Sequence, residues 1–381
     1  MSTKTARYIM IGGFLGAGKT TAVLRLAERL KAEGLRVGLI TNDQSSGLVD
    51  TTILRSHGFA VEEIAGGCFC CRFDSLNEAA ERLTEEARPD VFIAEPVGSC
   101  TDLVATVSYP LRRIYGERFT IAPLSVMLDP LRAARVLGLG EGRSFSKKVV
   151  YVYEKQLEEA DLIVINKIDS IDDELRAALV SALESRYPQA ELLLCSAKEG
   201  IGLDVWFEGL MRDAAEERTP MPLDYKVYAE GEALLGWLNL TAKVEHSEGF
   251  DANRLLLWVA EQLRAELDAK GVELAHLKMT LDSAEAGGQL AALSLTRGDE
   301  LSDLRESLLD TLQTGQLILN LRAEADPNWL HQLCLGVLER GATHQPGLSF
   351  EVEHEEHFRP SPPTPTHRVM ASGEMSAEGH R

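Results

Sequence analysis

Along the first half of the chain, short apolar runs alternate with stretches of helical spacing. Residues 7–11, 37–41, 91–95, 126–128, 161–165 and 192–194 are nearly unbroken series of Val, Ile, Leu and Met or aromatic neighbours, without the in–out alternation of a half-exposed strand. Between the first two, residues 21–31 place Leu24, Leu26, Ala27 and Leu30 on one helical face. Continuous apolar strands separated by amphipathic helices predict a parallel sheet covered by helices on both faces, hence an α/β fold, over residues 1–217. The run Arg218-Thr219-Pro220-Met221-Pro222 reads as a boundary.

A second pattern follows over residues 222–340. Strands are expected near 236–244, 272–281, 289–295 and 316–323, and helices over 252–269, 301–311 and 328–339, the last opened by Asp326-Pro327. The order βαββαβα predicts a smaller α+β, ferredoxin-like domain. Residues 341–381 differ in kind. They hold Pro360-Ser361-Pro362-Pro363-Thr364-Pro365, several Glu, five of the nine histidines and few large apolar residues, a composition that predicts a mostly disordered tail apart from Leu348-Ser349-Phe350 and Val352. His354-Glu355-Glu356-His357 is a weak candidate for metal capture within it, against the simpler reading of a solvated polar segment.

With 381 residues there is core enough for two domains and a tail. The formal charge of −20 disfavours nucleic acid and anionic membranes as partners. No run of eighteen apolar residues occurs and the first residues lack an apolar signal core, so a cytoplasmic protein is expected. Six cysteines, three of them clustered, fit a reducing compartment.

The segment Gly13-Phe14-Leu15-Gly16-Ala17-Gly18-Lys19-Thr20 fits the phosphate-binding loop GxxxxGK[ST], with a strand before it and a helix starting near Thr21. Such a loop turns backbone N–H groups toward one anion at a helix N-terminus. Lys19 would reach the β- and γ-phosphates and Thr20 would offer its hydroxyl to Mg²⁺. After the strand at 161–165 comes Asn166-Lys167-Ile168-Asp169, whose carboxylate suits the N1–H and amine of guanine, and after 192–194 comes Cys195-Ser196-Ala197-Lys198, a guanine-contacting loop. GTP is therefore favoured over ATP. Glu95, followed by Pro96-Val97-Gly98, and Asp43, at the end of the strand 37–41, are candidates to position Mg²⁺ or the attacking water, with Gly98 turned toward the terminal phosphate. Each acid has the plainer alternative of capping a neighbouring helix.

Gly66-Gly67-Cys68-Phe69-Cys70-Cys71 is the second chemical signal. Three thiolates at this spacing converge in a tight turn and suit Zn²⁺ first, with Co²⁺, Ni²⁺ or Cu⁺ as alternatives. A single cluster lacking a second pair predicts an open, three-ligand site; a redox disulfide and three packed thiols are the competing readings. Cys100, just beyond the Glu95 segment, is a candidate fourth sulfur, whereas Cys195 and Cys334 lie in apolar runs and read as core.

The phosphate loop with its GGFLGAGKTT surround, the GCxCC run, Glu95-x-x-Gly98, Asn166-x-x-Asp169 and Ser196-Ala197 together resemble the CobW-like metallochaperone GTPases, relatives of the urease and hydrogenase nickel-insertion GTPases. The resemblance extends over residues 8 to about 210; Val126-Met127-Leu128-Asp129-Pro130, Gln156 and Asp161 add smaller matches. It implies a P-loop NTPase fold and a GTPase whose GTP/GDP cycle organises a transition-metal site at Cys68, Cys70 and Cys71. It also implies delivery of that metal to a client protein, with a nucleotide-dependent homodimer possible. Two departures fall in the expected switch regions: Glu95-Pro96-Val97-Gly98 in place of Glu-x-Ser/Thr-Gly, and Gln44-Ser45-Ser46-Gly47 in place of a more acidic segment. The alternatives are a GTP-dependent regulator of a cofactor-bearing enzyme, for example a corrinoid one, and a small-molecule kinase.

Overall fold

The computed structural model describes residues 5–44, 48–213, 219–283, 289–300 and 302–377. Ser45, Ser46 and Gly47 of the segment after Asp43, Arg218 of the boundary run and Leu301 of the expected helix lie outside them. The chain divides into two compact units. One draws on residues up to 46, on Phe59–Gly231 and on residues from Pro362 onward; the other on Gly47–Gly58 and Glu232–Ser361.

The first unit contains β1 (Ala6–Gly13), α1 (Lys19–Ala32), β2 (Val37–Asn42), β3 (Ala60–Ile64), α3 (Phe73–Glu86), β4 (Val91–Glu95), α4 (Tyr109–Tyr115), β5 (Phe119–Ile121) and β6 (Ser125–Leu128). It continues with α5 (Pro130–Val136), α6 (Lys147–Glu159), β7 (Leu162–Ile165), α7 (Asp173–Arg186), β8 (Glu191–Leu194) and α8 (Leu203–Met211), and with α9 (Tyr225–Glu232) at its boundary. α2 (Val49–Ser56), though it lies between β2 and β3 in the chain, belongs to the other unit.

The strand order is β3-β2-β4-β1-β6-β7-β8, with β5 beside the start of β1, and every pairing is parallel. The unbroken apolar runs have their explanation here, since β4, β6 and β7 are buried at every position. α1 packs Ala22, Val23, Leu26, Ala27 and Leu30 inward. α5 and α7 start where Asp129 and Asp172 accept the N–H groups of Arg132 and Leu175 at 2.9 and 2.8 Å. All loops that leave the carboxyl ends of these strands therefore gather along one edge.

The second unit is an antiparallel sheet with two long helices: β9 (Gly236–Phe250), α10 (Ala252–Ala269), β10 (Leu274–Asp282), β11 (Leu290–Leu295), β12 (Asp303–Glu306), β13 (Leu312–Ala323), α11 (Pro327–His344) and β14 (Leu348–Phe358). The order β12-β11-β10-β13-β9-β14 contains the ferredoxin-like arrangement in β10-β13-β9-β14, with α10 and α11 as crossovers and β11–β12 added at the edge. Leu238, Leu240, Leu277, Met279, Leu319 and Leu321 meet Leu256, Val259, Leu263, Leu330 and Val337 in its core. α2 joins this unit, the Val49 N–H donating to Asn320 Oδ1 at 3.0 Å and Asp50 pairing with Lys278 at 2.6 Å. No helix among the described residues is long and apolar enough to cross a membrane.

Two expectations are corrected. In the segment assigned to a helix at 301–311, the described residues form no helix, and Asp303–Glu306 instead make β12, which hydrogen-bonds to β11 between Ser294/Asp303 and Ala292/Glu306. Strand pairing at an open sheet edge outweighs a short helical pattern. The tail is not disordered through residues 341–377. α11 runs through Gly341 to His344, and β14 pairs along β9 from Leu348/His246 to Phe358/Trp237. β14 is an edge strand with mostly exposed side chains, so it needs backbone hydrogen bonds more than apolar bulk, and its composition mimics disorder. The chain then returns to the first unit as a hairpin of β15 (His367–Val369) and β16 (Met375–Ala377). A chain ending at Pro346 would leave the β9 edge unpaired; we expect it to aggregate or melt well below the full chain, and an unchanged melting profile would show that β14 is dispensable.

Candidate functional site

The phosphate loop closes between β1 and α1. Lys19 Nζ donates to Gly13 O at 2.8 Å and lies 4.0 Å from Glu95 Oε1, and Thr20 Oγ1 donates to the same oxygen at 3.2 Å. Lys19, Thr20 and Glu95 are all buried. The tip of β4 thus delivers its acid to the two loop residues that chemistry would assign to phosphate and Mg²⁺. A hydroxyl and a carboxylate side by side are the hard oxygen donors that Mg²⁺ takes. Gly98, three residues further on, packs so tightly that a Cβ there would lie 3.0 Å from Leu15 N, so the Glu95 segment rests on the phosphate loop itself. Asp43 follows β2, its N–H donating to Ile64 O at 3.1 Å and its Oδ1 accepting the Gln44 N–H at 2.6 Å.

The loops after β7 and β8 converge on the same edge. Asn166 Nδ2 donates to Ala17 O at 2.8 Å while its Oδ1 accepts the Ala197 N–H at 2.9 Å, tying phosphate loop and Ser196-Ala197 loop through one amide. Gly18, at φ 90°, is required here because a Cβ would lie 2.4 Å from Asn166 Nδ2. Lys167 pairs with Asp129 at 2.8 Å, Ser196 Oγ accepts the Glu199 N–H at 3.1 Å, and Asp169 is exposed in a single 3₁₀ turn. Gly16, Ala17 and Thr21 complete the loop and the first turn of α1.

The cysteines occupy the turn between β3 and α3. Cys71 and Arg72 both donate their N–H to Cys68 O, at 3.0 and 2.9 Å, which folds the three thiols onto one side. The sulfurs of Cys68, Cys70 and Cys71 are separated by 2.7, 3.3 and 3.7 Å. Tetrahedral Zn²⁺–thiolate geometry asks for sulfurs about 3.8 Å apart. The Cys70–Cys71 pair already meets this, and Cys68 and Cys70 need to part by about 1 Å. Cys68 and Cys70 are buried and Cys71 is partly exposed, so the cluster opens on the Cys71 side. Among the described residues no other group of three or more metal-binding side chains converges, the His354–His357 segment included.

Comparison with known proteins agrees with this geometry. Residues 7–193 match the nucleotide-binding domain described as CobW/HypB/UreG. The urease accessory protein UreG of Metallosphaera sedula is 30% identical over 41% of this chain and 69% of its own length. The chain belongs to the CobW/HypB/UreG family. The zinc chaperone CobW of a Sinorhizobium species is 30% identical over 50% of this chain and 58% of that protein. For the zinc chaperone YeiR of Escherichia coli K12 the figures are 29%, 45% and 49%. The matches thus span about half the length of these curated zinc chaperones.

Within this CobW/HypB/UreG domain, several residues outside the recognised motifs hold the site. Asn42, the last residue of β2, donates through Nδ2 to Ile64 O (3.0 Å) and Gly67 O (2.7 Å) and accepts the Phe69 N–H at Oδ1 (3.0 Å). One buried amide therefore spans the entry to the cysteine turn and is bonded directly to Asp43. Gln156 Nε2 donates to Gly98 O and Cys100 O at 2.9 and 2.8 Å, fixing the loop after β4. The Cys100 thiol, fully buried, hydrogen-bonds to Cys68. Gln156 is marked only by the family resemblance, and Asn42, at a strand end, has no spacing signature, so the hydrogen-bonding role of neither is legible in the sequence. Cys195, expected as core, is buried as such, and its thiol lies 3.5 Å from Asn166 Oδ1.

Charge within the cluster is uneven. Hydrogen bonds from Cys100 first, then from Cys70 and Cys71, hold the Cys68 thiol well below its ordinary value. The hydrogen bond to Cys68 pushes Cys70 well up and Cys71 up to about 11. A single thiolate shared among donors is the physical cause.

Glu159, at the end of α6, supports the loop after β4 by accepting the Thr101 hydroxyl (3.1 Å) and the Val104 N–H (3.0 Å). Burial pushes its carboxyl from 4.5 up to about 8. With the folded value above the unfolded one, its contribution to stability is complete below pH 4.5 and is lost as pH rises through about 8. Glu159→Gln, which keeps an acceptor and adds a donor for the Thr101 oxygen, should raise the melting temperature at about pH 8.5 and hardly change it near pH 5. Equal shifts at both values would refute the assignment.

Proposed function

We propose that this chain is a GTP-hydrolysing metallochaperone that holds one zinc ion on Cys68, Cys70 and Cys71 and passes it to a client protein. The observation that carries the reading is the Asn42 bridge, which makes the cysteine turn and the Asp43 end of β2 one hydrogen-bonded piece. In this reading Gly13, Gly16, Ala17, Gly18 and Thr21 line or open onto the phosphate site with their backbone N–H groups, and Lys19 neutralises the terminal phosphates. Asn166, Lys167, Asp169, Ser196 and Ala197 shape the guanine pocket, with Asp169 accepting from N1–H and the exocyclic amine. Thr20 and Glu95 would hold Mg²⁺, which supplies charge neutralisation across the β- and γ-phosphate oxygens. Asp43 orients water for in-line attack, and Gly98 turns its N–H toward the γ-phosphate. Positioning and charge complementarity thus account for the chemistry.

The cargo is a borderline ion: three thiolates suit Zn²⁺ and accept Co²⁺ or Ni²⁺. The partly exposed Cys71 gives an acceptor its approach. A reducing, cytoplasmic setting keeps the thiols competent, and a nucleotide-dependent homodimer belongs to the same reading by likeness to the family.

Anaerobic Zn²⁺ titration with Mg²⁺ and either a slowly hydrolysed GTP analogue or GDP tests the linkage. We expect one ion per chain, an affinity differing about tenfold between the two nucleotides (~1.4 kcal/mol), and loss of binding in Cys68→Ser and Cys70→Ser. Asn42→Ala should retain the ion and flatten the nucleotide difference. Identical dissociation constants under both nucleotides would leave a GTPase with an uncoupled thiol cluster. Base reading is tested separately: Asp169→Asn exchanges an acceptor for a donor, so it should move preference from GTP to xanthosine triphosphate, whose ring carries a carbonyl where guanine has its amine. An ATP preference in the unvaried protein would revive the kinase alternative.

A further inference from the structure

The segment that returns from the second unit crosses the cysteine turn. Thr364 N–H donates to Cys71 Sγ at 3.1 Å, Thr366 N–H to Cys70 O at 2.9 Å, and Thr366 Oγ1 to Cys71 O at 3.3 Å. His367 sets its ring edge-on to Phe73, the first residue of α3, with centroids 5.0 Å apart, and Val369 is buried. The next anchor is an ion pair. Arg368 Nε and Nη2 reach the two oxygens of Asp102 at 2.7 and 3.3 Å, and Tyr225 Oη donates to Asp102 Oδ2 at 2.6 Å. Asp102 is 2% exposed and sits at φ 66°, a left-handed backbone that a non-glycine residue keeps only when its surroundings enforce it. It also ends the loop that begins at Glu95, passes over Leu15 at Gly98 and carries Cys100.

We propose that residues 364–369 form a latch over the thiol site, with Arg368–Asp102 as its bolt. The strap lies against Cys71, the partly exposed thiol of the three, and its Thr364 N–H stabilises charge on a ligating sulfur, as outer-shell donors do in metal sites. The bolt closes on the same loop that brings Glu95 to Lys19 and Thr20. A shift of Glu95 on nucleotide exchange is therefore passed along seven residues to Asp102, which loosens or tightens the strap. Thr364, Thr366 and Arg368 are positioning residues: they set how fast the ion leaves and leave GTP hydrolysis untouched.

The inference rests on the cysteines holding the ion, and the experiment separates the two. The full chain is loaded with one equivalent of Zn²⁺, and transfer to an excess of a chromophoric chelator is followed with GDP or the GTP analogue bound. Arg368→Ala should speed transfer roughly tenfold at unchanged stoichiometry, narrow the difference between nucleotides, and leave the GTPase rate as it was. Arg368→Lys, which keeps one charged contact, should recover part of the slow transfer. Trypsin cleavage after Arg368 or Arg359, scored on the loaded full chain, should be faster in Asp102→Asn. Unvaried protein that holds no ion overturns the metal reading and the latch with it. Ion held normally but transferred at one rate by all variants overturns the latch alone.

Discussion

Parallel strand pairing is the constraint on which this site depends. Neighbouring parallel strands must be joined by crossovers, so the loops after β1, β2, β4, β6, β7 and β8 emerge along one edge. Residues as far apart in sequence as Lys19, Asn42, Glu95, Asn166 and Ala197 are gathered there by the topology. Once gathered, several hold one another, Glu95 against Lys19 and Thr20 and Asn166 between Ala17 and Ala197, while Asn42 is tied to the cysteine turn. Buried polar groups that satisfy one another in this way have few alternative arrangements, since breaking one contact leaves a desolvated partner.

Hydrogen bonds also connect the phosphate-loop edge physically with the thiol cluster. The cysteine turn is bonded to β2 through Asn42, and Cys100 on the loop after β4 touches Cys68. Both routes are short, buried and built from hydrogen bonds, so a displacement of a strand end by a few tenths of an ångström cannot be absorbed by solvent. The second unit enters by a different path. It takes in α2, the element that follows Asp43 in the chain, through Asp50–Lys278 and the Val49 N–H to Asn320. The chain that continues from Asp43 thereby leads into a helix anchored on the antiparallel sheet.

What the sequence settled by itself was whatever is local or periodic. The phosphate loop is a contiguous motif, the buried parallel strands are unbroken apolar runs, α10 was legible to its end residues, and the three cysteines sit within four positions of one another, so a single turn is enough to bring them together. Tertiary structure decided what depends on pairing across distance. β12 is a strand because β11 had an open edge, and β14 is ordered because β9 supplies a backbone partner that its own composition does not advertise. Asn42, Gln156 and Glu159 gained their roles from the carbonyls and N–H groups that folding placed around them. The strap over Cys71 is the extreme case: nearly three hundred positions separate Thr364 from the sulfur it touches, and only the folded chain brings a backbone N–H to within 3.1 Å of it.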